Sequence, residues 1–120
     1  MFTDPQSVTI NAVANSLPRT SSGTNSGVFK KDDGLVSLSI SHSTSGKRTR
    51  RLVRLDHSKI AADPLLAGVN VKANMAVYLV VDVPETGYTL VEEKQVTDAF
   101  TAWATASSGA NLTKILGGES

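Results

Sequence analysis

The 120-residue chain holds 12 Lys and Arg, 11 Asp and Glu and no cysteine, and is 40% hydrophobic. This length and apolar share fit one globular domain over residues 1–120 and exclude a disordered chain. The missing thiols exclude a disulfide scaffold, a cysteine nucleophile and thiolate metal sites, and a net charge of +1 excludes a broadly polybasic arm.

The opening stretch MFTDPQSVTI lacks the basic-then-apolar order of a signal peptide. The longest strongly apolar run, Val77–Val81, is far short of the roughly 20 residues a membrane helix needs. A soluble protein made without export is expected, and a reducing cytoplasm suits it. Val8, Ile10 and Ala12 alternate with Thr9 and Asn11, which predicts a strand over Ser7–Val13. Asn15-Ser16 reads as a turn that lets Leu17–Thr20 pair back, and Ser21–Gly27 as a Ser/Gly/Asn loop. Val28–Lys31 is a brief strand closed by the hairpin signal Asp32-Asp33-Gly34.

Ser37–Arg54, SLSISHSTSGKRTRRLVR, is the most informative segment. Leu38 and Ile40 alternate with Ser37, Ser39 and Ser41, so one strand face is apolar and the other small and polar. Ser43-Thr44-Ser45-Gly46 is turn chemistry. The returning arm, Arg48–Ser58, carries Arg48, Arg50, Arg51 and Arg54, with Lys47 in the turn. Arg48, Arg50 and Arg54 share one parity, and Arg51 points the other way. Hydroxyls beside a row of guanidinium groups suit phosphate oxygens and base edges. The bland alternative is a solvated strand whose charges discourage edge pairing. The continuation of the row to Lys72 on another strand favours a patterned basic face.

Ile60–Asn70, IAADPLLAGVN, reads as a long apolar loop, and Pro64 argues against a central strand. It either folds onto its own domain or meets another subunit, and the residues alone leave both open. Val71–Val83 is the longest strand. Its odd positions are apolar, and Lys72, Asn74, Ala76, Tyr78, Val80 and Asp82 form the other face. Thr89-Leu90-Val91-Glu92 then matches a capping box. Val96, Phe100 and Trp103 recur at helical spacing with Ala99 and Ala106, and the aromatics read as core residues. Gly109 ends that helix, and Asn111 is read as the cap of a second, Leu112–Leu116. Segregated strands and helices indicate α+β. Helices this few can cover one sheet face, which leaves the face of Ser39, Arg50, Arg54, Lys72 and Asn74 for solvent or a ligand.

Catalytic signatures fail on geometry. Asp56-His57-Ser58 has the letters of a hydrolase triad, but on a strand Asp56 and His57 point to opposite faces. His42 and His57 are the only histidines, without metal-ligand spacing. No glycine-rich phosphate loop opens a helix. Tyr78 shares the parity of Lys72 and Asn74, where it either stacks on a splayed base or is half-covered by its neighbours. No enzyme, metal, cofactor, membrane or small-molecule substrate is expected.

In element order and length the chain resembles the coat proteins of the single-stranded RNA bacteriophages, the levivirus type. The resemblance spans almost the whole chain. It rests on the Ser-rich strand turning through Ser-Thr-Ser-Gly-Lys, the basic strand ending Leu52-Val53-Arg54-Leu55, the long loop, and VKANMAVYLVVDVP followed by ETGYTLVEE. It implies an α+β subunit with an N-terminal β-hairpin, a five-stranded antiparallel sheet and two C-terminal helices. It also implies an obligate homodimer with a continuous ten-stranded sheet, the helices of each subunit clasping the partner. Dimers would build an icosahedral virion shell in the bacterial host cytoplasm, its inner face holding a genomic RNA stem-loop at the replicase start. By position, Arg50 and Arg54 fall on RNA-contacting residues of the sixth strand, and Asn74 on an asparagine of the last, with Lys72 and Tyr78 beside it. Ser39 and Ser41 fall on the strand paired with the basic arm, and Arg48 shares its parity. The loop, with Ala61, Pro64, Leu65, Leu66, Gly68 and Val69, would be an inter-subunit contact. Ala76 departs from the pattern, where a polar residue is common. A cellular β-sheet RNA-binding module that does not assemble is the alternative, and it gives no reason for the apolar loop.

Overall fold

The computed structural model describes residues 2–62, 65 and 68–120. Two compact units, Met1–Asp82 and Val83–Ser120, divide the chain, and each is described in turn. In the first, β1 (Gln6–Ile10) and β2 (Val13–Leu17) form an antiparallel hairpin with Ile10 opposite Val13. The turn is Asn11-Ala12, with φ of 50° and 62°, the left-handed pair of a two-residue type I′ turn. The expected turn at Asn15-Ser16 is therefore displaced. Asn15 instead faces inward, its amide donating to the Val8 and Val13 carbonyls at 3.2 Å and its Oδ1 accepting from Lys31 Nζ at 3.0 Å. Ala12 holds a conformation that costs an L-residue about 1–2 kcal/mol. Ala12→Gly is expected to stabilise the fold by roughly 0.5–1 kcal/mol, after glycine's larger unfolded-state entropy. A urea midpoint that stays put or falls would contradict this.

The main sheet runs in sequence order: β3 (Arg19–Gly23), β4 (Ser26–Lys30), β5 (Val36–Ser45), β6 (Arg48–Ala62) and β7 (Asn70–Pro84). The segment Ser21–Gly27, expected as a loop, is most of the β3–β4 hairpin, turning at Thr24-Asn25. Its residues are poor strand formers alone; pairing of β4 with β5 holds them extended. Asp32-Asp33-Gly34 turns as expected, with Gly34 at φ 74° and Asp33 Oδ1 accepting from Leu35 N at 2.9 Å. That hydrogen bond holds the Asp33 carboxyl below its ordinary range.

The β5–β6 turn is Gly46-Lys47, later than the expected Ser43–Gly46, because Gly46 at φ 61° supplies the positive φ the turn needs. Ser43, Thr44 and Ser45 are strand residues opposite Arg50, Thr49 and Arg48. Strand β6 also runs further than expected, so Ile60, Ala61 and Ala62 are strand and not loop. Of the remaining loop residues, Leu65 is 89% exposed, Gly68 has φ 80° and Val69 is exposed, whereas Pro64 and Leu66 lie outside the described residues.

The core sits on one sheet face. Leu17 and Phe29 are fully enclosed and join buried Val36 and Ile40, with Val8, Ile10, Leu38, Val53 and Leu55 packed around them. The β1–β2 hairpin thus closes the β4–β5 part of that face. The Arg19 guanidinium lies 4.9 Å from the Phe29 ring centroid. On the same face of β7, Val71, Met75 and Val77 stay exposed.

In the second unit, α1 spans Leu90–Leu116. Thr89 is the N-cap as expected, its Oγ1 accepting from Glu92 N at 3.2 Å. The helix breaks at Ala106–Gly109, where Ser107, Ser108 and Gly109 take positive φ, which gives two helical arms. Asn111 does not cap the second arm; its amide donates to the Trp103 carbonyl at 2.8 Å and so satisfies the end of the first. The apolar stripe is not core within the chain: Val96, Phe100 and Trp103 are 62%, 57% and 52% exposed, and no α1 residue is buried. The Phe100 and Trp103 rings stack on each other at 6.4 Å between centroids.

Candidate nucleic-acid interface

Strand parity and register build this surface. The β5–β6 ladder is regular from Val36↔His57 to Ser45↔Arg48. Ser39 is opposite Arg54, Ser41 opposite Leu52, Ser43 opposite Arg50 and Ser45 opposite Arg48. Because neighbours across a strand pair share a face, serines and arginines stand side by side. Ser43 and Ser45 were legible from the serine spacing but lost to the expected turn.

Strand β7 completes the face. Ser58 Oγ donates to Asn74 Oδ1 at 2.7 Å, which ties the Asn74 side chain to β6. The Arg54 guanidinium lies 5.0 Å from the Tyr78 ring centroid, a cation–π contact. Tyr78 is 55% exposed, so one ring face is occupied by Arg54 while much of the side chain stays open. Lys72 is exposed on the same parity.

Two carboxylates on this face went unassigned from sequence as counter-ions. Arg48 Nε meets Asp82 Oδ1 at 3.1 Å, and Arg54 Nε meets Asp56 Oδ1 at 2.8 Å. The Asp56 bond keeps the Arg54 guanidinium above its ordinary pKa. Solvent screens exposed pairs of this kind, so they add little stability. Their effect is to engage one edge of each guanidinium and leave the other N–H groups for a ligand. Among the described residues neither Arg50 nor Lys72 has a carboxylate within ion-pair distance. A depression of about 310 Å³ is lined by Ser43, Ser45, Arg48, Arg50 and Asp82. Its hydroxyl and guanidinium donors can hold a phosphate oxygen, and its lone carboxylate is already engaged.

His42 and His57 are half-buried on the opposite face, and Arg51 Nη1 lies 3.3 Å from His42 Nδ1 there. Arg51 therefore points away from the serine–arginine row, as its parity requires. Of the loop residues expected at a subunit contact, Ala61 belongs to β6, and Leu65, Gly68 and Val69 are exposed.

No known protein family profile and no curated protein matches the chain. Solved structures do. A protein of the virus-like particle of Beihai levi-like virus 21 aligns over 94% of this chain and 91% of its own, with a TM-score of 0.72 and 13% identity. One from the virus-like particle of bacteriophage AVE019 covers 89% and 90%, with a TM-score of 0.70 and 14% identity. The bacteriophage GA capsid protein covers 98% and 95%, with a TM-score of 0.66 and 12% identity. At such identities the likeness is one of backbone arrangement: hairpin, five-stranded sheet and C-terminal helix in one order over nearly the full length. The chain has the RNA-phage coat-protein fold.

Proposed function

We propose that this chain is a phage coat protein: one structural domain that dimerises, assembles into an icosahedral virion shell and binds a genomic RNA stem-loop on its serine–arginine face. The observation that carries the reading is apolar surface left without a partner. That surface includes Val71, Met75 and Val77 on β7 and Val96, Phe100 and Trp103 on α1. Strand β7 is a sheet edge of 15 residues, and an edge that long with apolar flanks invites a second strand. Pairing with β7 of a second copy would make a ten-stranded sheet.

On the shell's inner face, Arg48, Arg50, Arg54 and Lys72 would hold phosphates, with Asn74, Tyr78, Ser39 and Ser41 nearer the bases. Binding the stem-loop at the replicase start would repress translation and mark the genome for packaging. The protein's place is the virion, with assembly in the host cytoplasm.

Expression in bacteria, a sizing column and negative-stain microscopy test the reading together. Megadalton particles containing RNA are expected; a small, RNA-free species would refute it. The loop supplies a finer test. Strands β6 and β7 are neighbours, so a short turn can replace residues 63–69. Dimers are expected to persist and shells to become altered or absent, and normal particles in the micrographs would remove the loop from the subunit contacts.

A further inference from the structure

The sheet face opposite the serine–arginine row has its own charge pattern. Across β3–β7 its ionisable groups are Arg19, His42, Arg51, His57 and Lys59, and none is acidic. At its β6–β7 end is a cavity of about 140 Å³ lined by His57, Lys59, Ala73, Asn74 and Met75. Met75 is 54% exposed there, and among the described residues Lys59 has no ion partner. On α1 the acids without an ion partner among the described residues are Glu92 and Glu93 in its first turn; Asp98 is held by Lys94 at 2.5 Å. Glu92 and Glu93 precede Val96 by four and three positions, so they head the apolar stripe.

We propose that the first turn of α1 from a second copy docks at this cavity, with Glu92 and Glu93 against Lys59 and His57 and the apolar stripe following onto Met75. The inference rests on the dimer reading above and adds its charge register. Strand geometry delivers the helix there. Ser58 bonds to Asn74, so Lys59 stands beside Ala73 near the start of β7. When two β7 edges pair antiparallel about a two-fold axis, the end of one lies beside the start of the other. The partner's β6 is then two strand spacings away, about 10 Å. From Pro84, where β7 ends, to Leu90, where α1 begins, six residue steps reach about 20 Å. The span is sufficient, and the basic cavity meets the acidic helix end.

A mixing experiment reads this directly. Full-length Lys59→Glu places like charges at both sites of its homodimer, and full-length Glu92→Lys/Glu93→Lys does the same. A mixed dimer restores opposite charges at both sites. Differently tagged chains are mixed, and sedimentation with tag-specific detection counts the species in dilute solution. A mixed dimer enriched about tenfold or more over random pairing is expected. Random pairing of dimers that still form would overturn the charge register while leaving the dimer intact. Wild-type chain that sediments as a monomer would instead remove the dimer reading, and this inference with it. Any loss of helix stability from lysines at the helix N-terminus is the same in homodimer and mixed dimer, so it cannot mimic the enrichment.

Discussion

Arg50→Ala is expected to give the largest loss of RNA affinity among single substitutions on the serine–arginine face, about 1–3 kcal/mol, roughly 5- to 150-fold. The reason is competition for donors. Arg48 has its Nε on Asp82 and Arg54 its Nε on Asp56, so each brings a half-neutralised group to a phosphate. Arg50 lines the same depression as Ser43 and Ser45 with no carboxylate partner among the described residues. Arg54→Ala is expected to cost less through charge but to free the Tyr78 ring, shifting which bases are preferred. Asp82→Asn has the opposite sign: it releases Arg48, so affinity should rise and fall more steeply with salt. Filter binding or fluorescence anisotropy against recovered packaged RNA, at two salt concentrations, reads all three. Affinity equal to wild type at both salts for Arg50→Ala, Arg48→Ala and Arg54→Ala alike would take the RNA site off this face. A loss confined to Arg48→Ala or Arg54→Ala would mean the carboxylates do not compete.

These side chains also mark how far residue patterns reach. Period-2 alternation in Ser37–Arg54 and Val71–Val83 assigned the faces of β5, β6 and β7 correctly, since a strand allows only two sides. The Thr89 cap was legible because its chemistry is confined to one turn. The β3–β4 hairpin was not, because Ser, Gly and Asn gain their strand conformation from β5, which lies outside any local window. The counter-ion Asp82 was missed for the same reason, whereas Asp56, two positions from Arg54 on one strand face, was within local reach. Arg48 and Asp82 are 34 positions apart, and only the register of a long sheet brings them together. The Asn11-Ala12 turn was hidden by an alternation that Ala12 appeared to continue, although Asn11 tolerates the left-handed region. In the helix, the stripe of Val96, Phe100 and Trp103 was read correctly as apolar, but its partner was taken to be this chain's own core. Periodicity shows that a face is apolar and is silent on what covers it.

Trp103→Ala turns that last point into a measurement. In the single chain Trp103 is 52% exposed and touches Phe100. If the chain worked alone, truncating such a surface ring would shift stability by no more than about 0.5 kcal/mol. If a second copy encloses the stripe, the ring is core in the assembled state, and its removal leaves a cavity costing about 3–5 kcal/mol. The larger value is expected, together with a urea midpoint that rises with protein concentration, because unfolding of an obligate dimer releases two chains. The two readouts guard each other. A large loss without concentration dependence would place the ring in a contact within one chain. A small loss with concentration dependence would keep the dimer but move its contact off this stripe. Substituting Phe100 as well should then cost less than the sum of the single effects, since the two rings stack and would share one enclosed site.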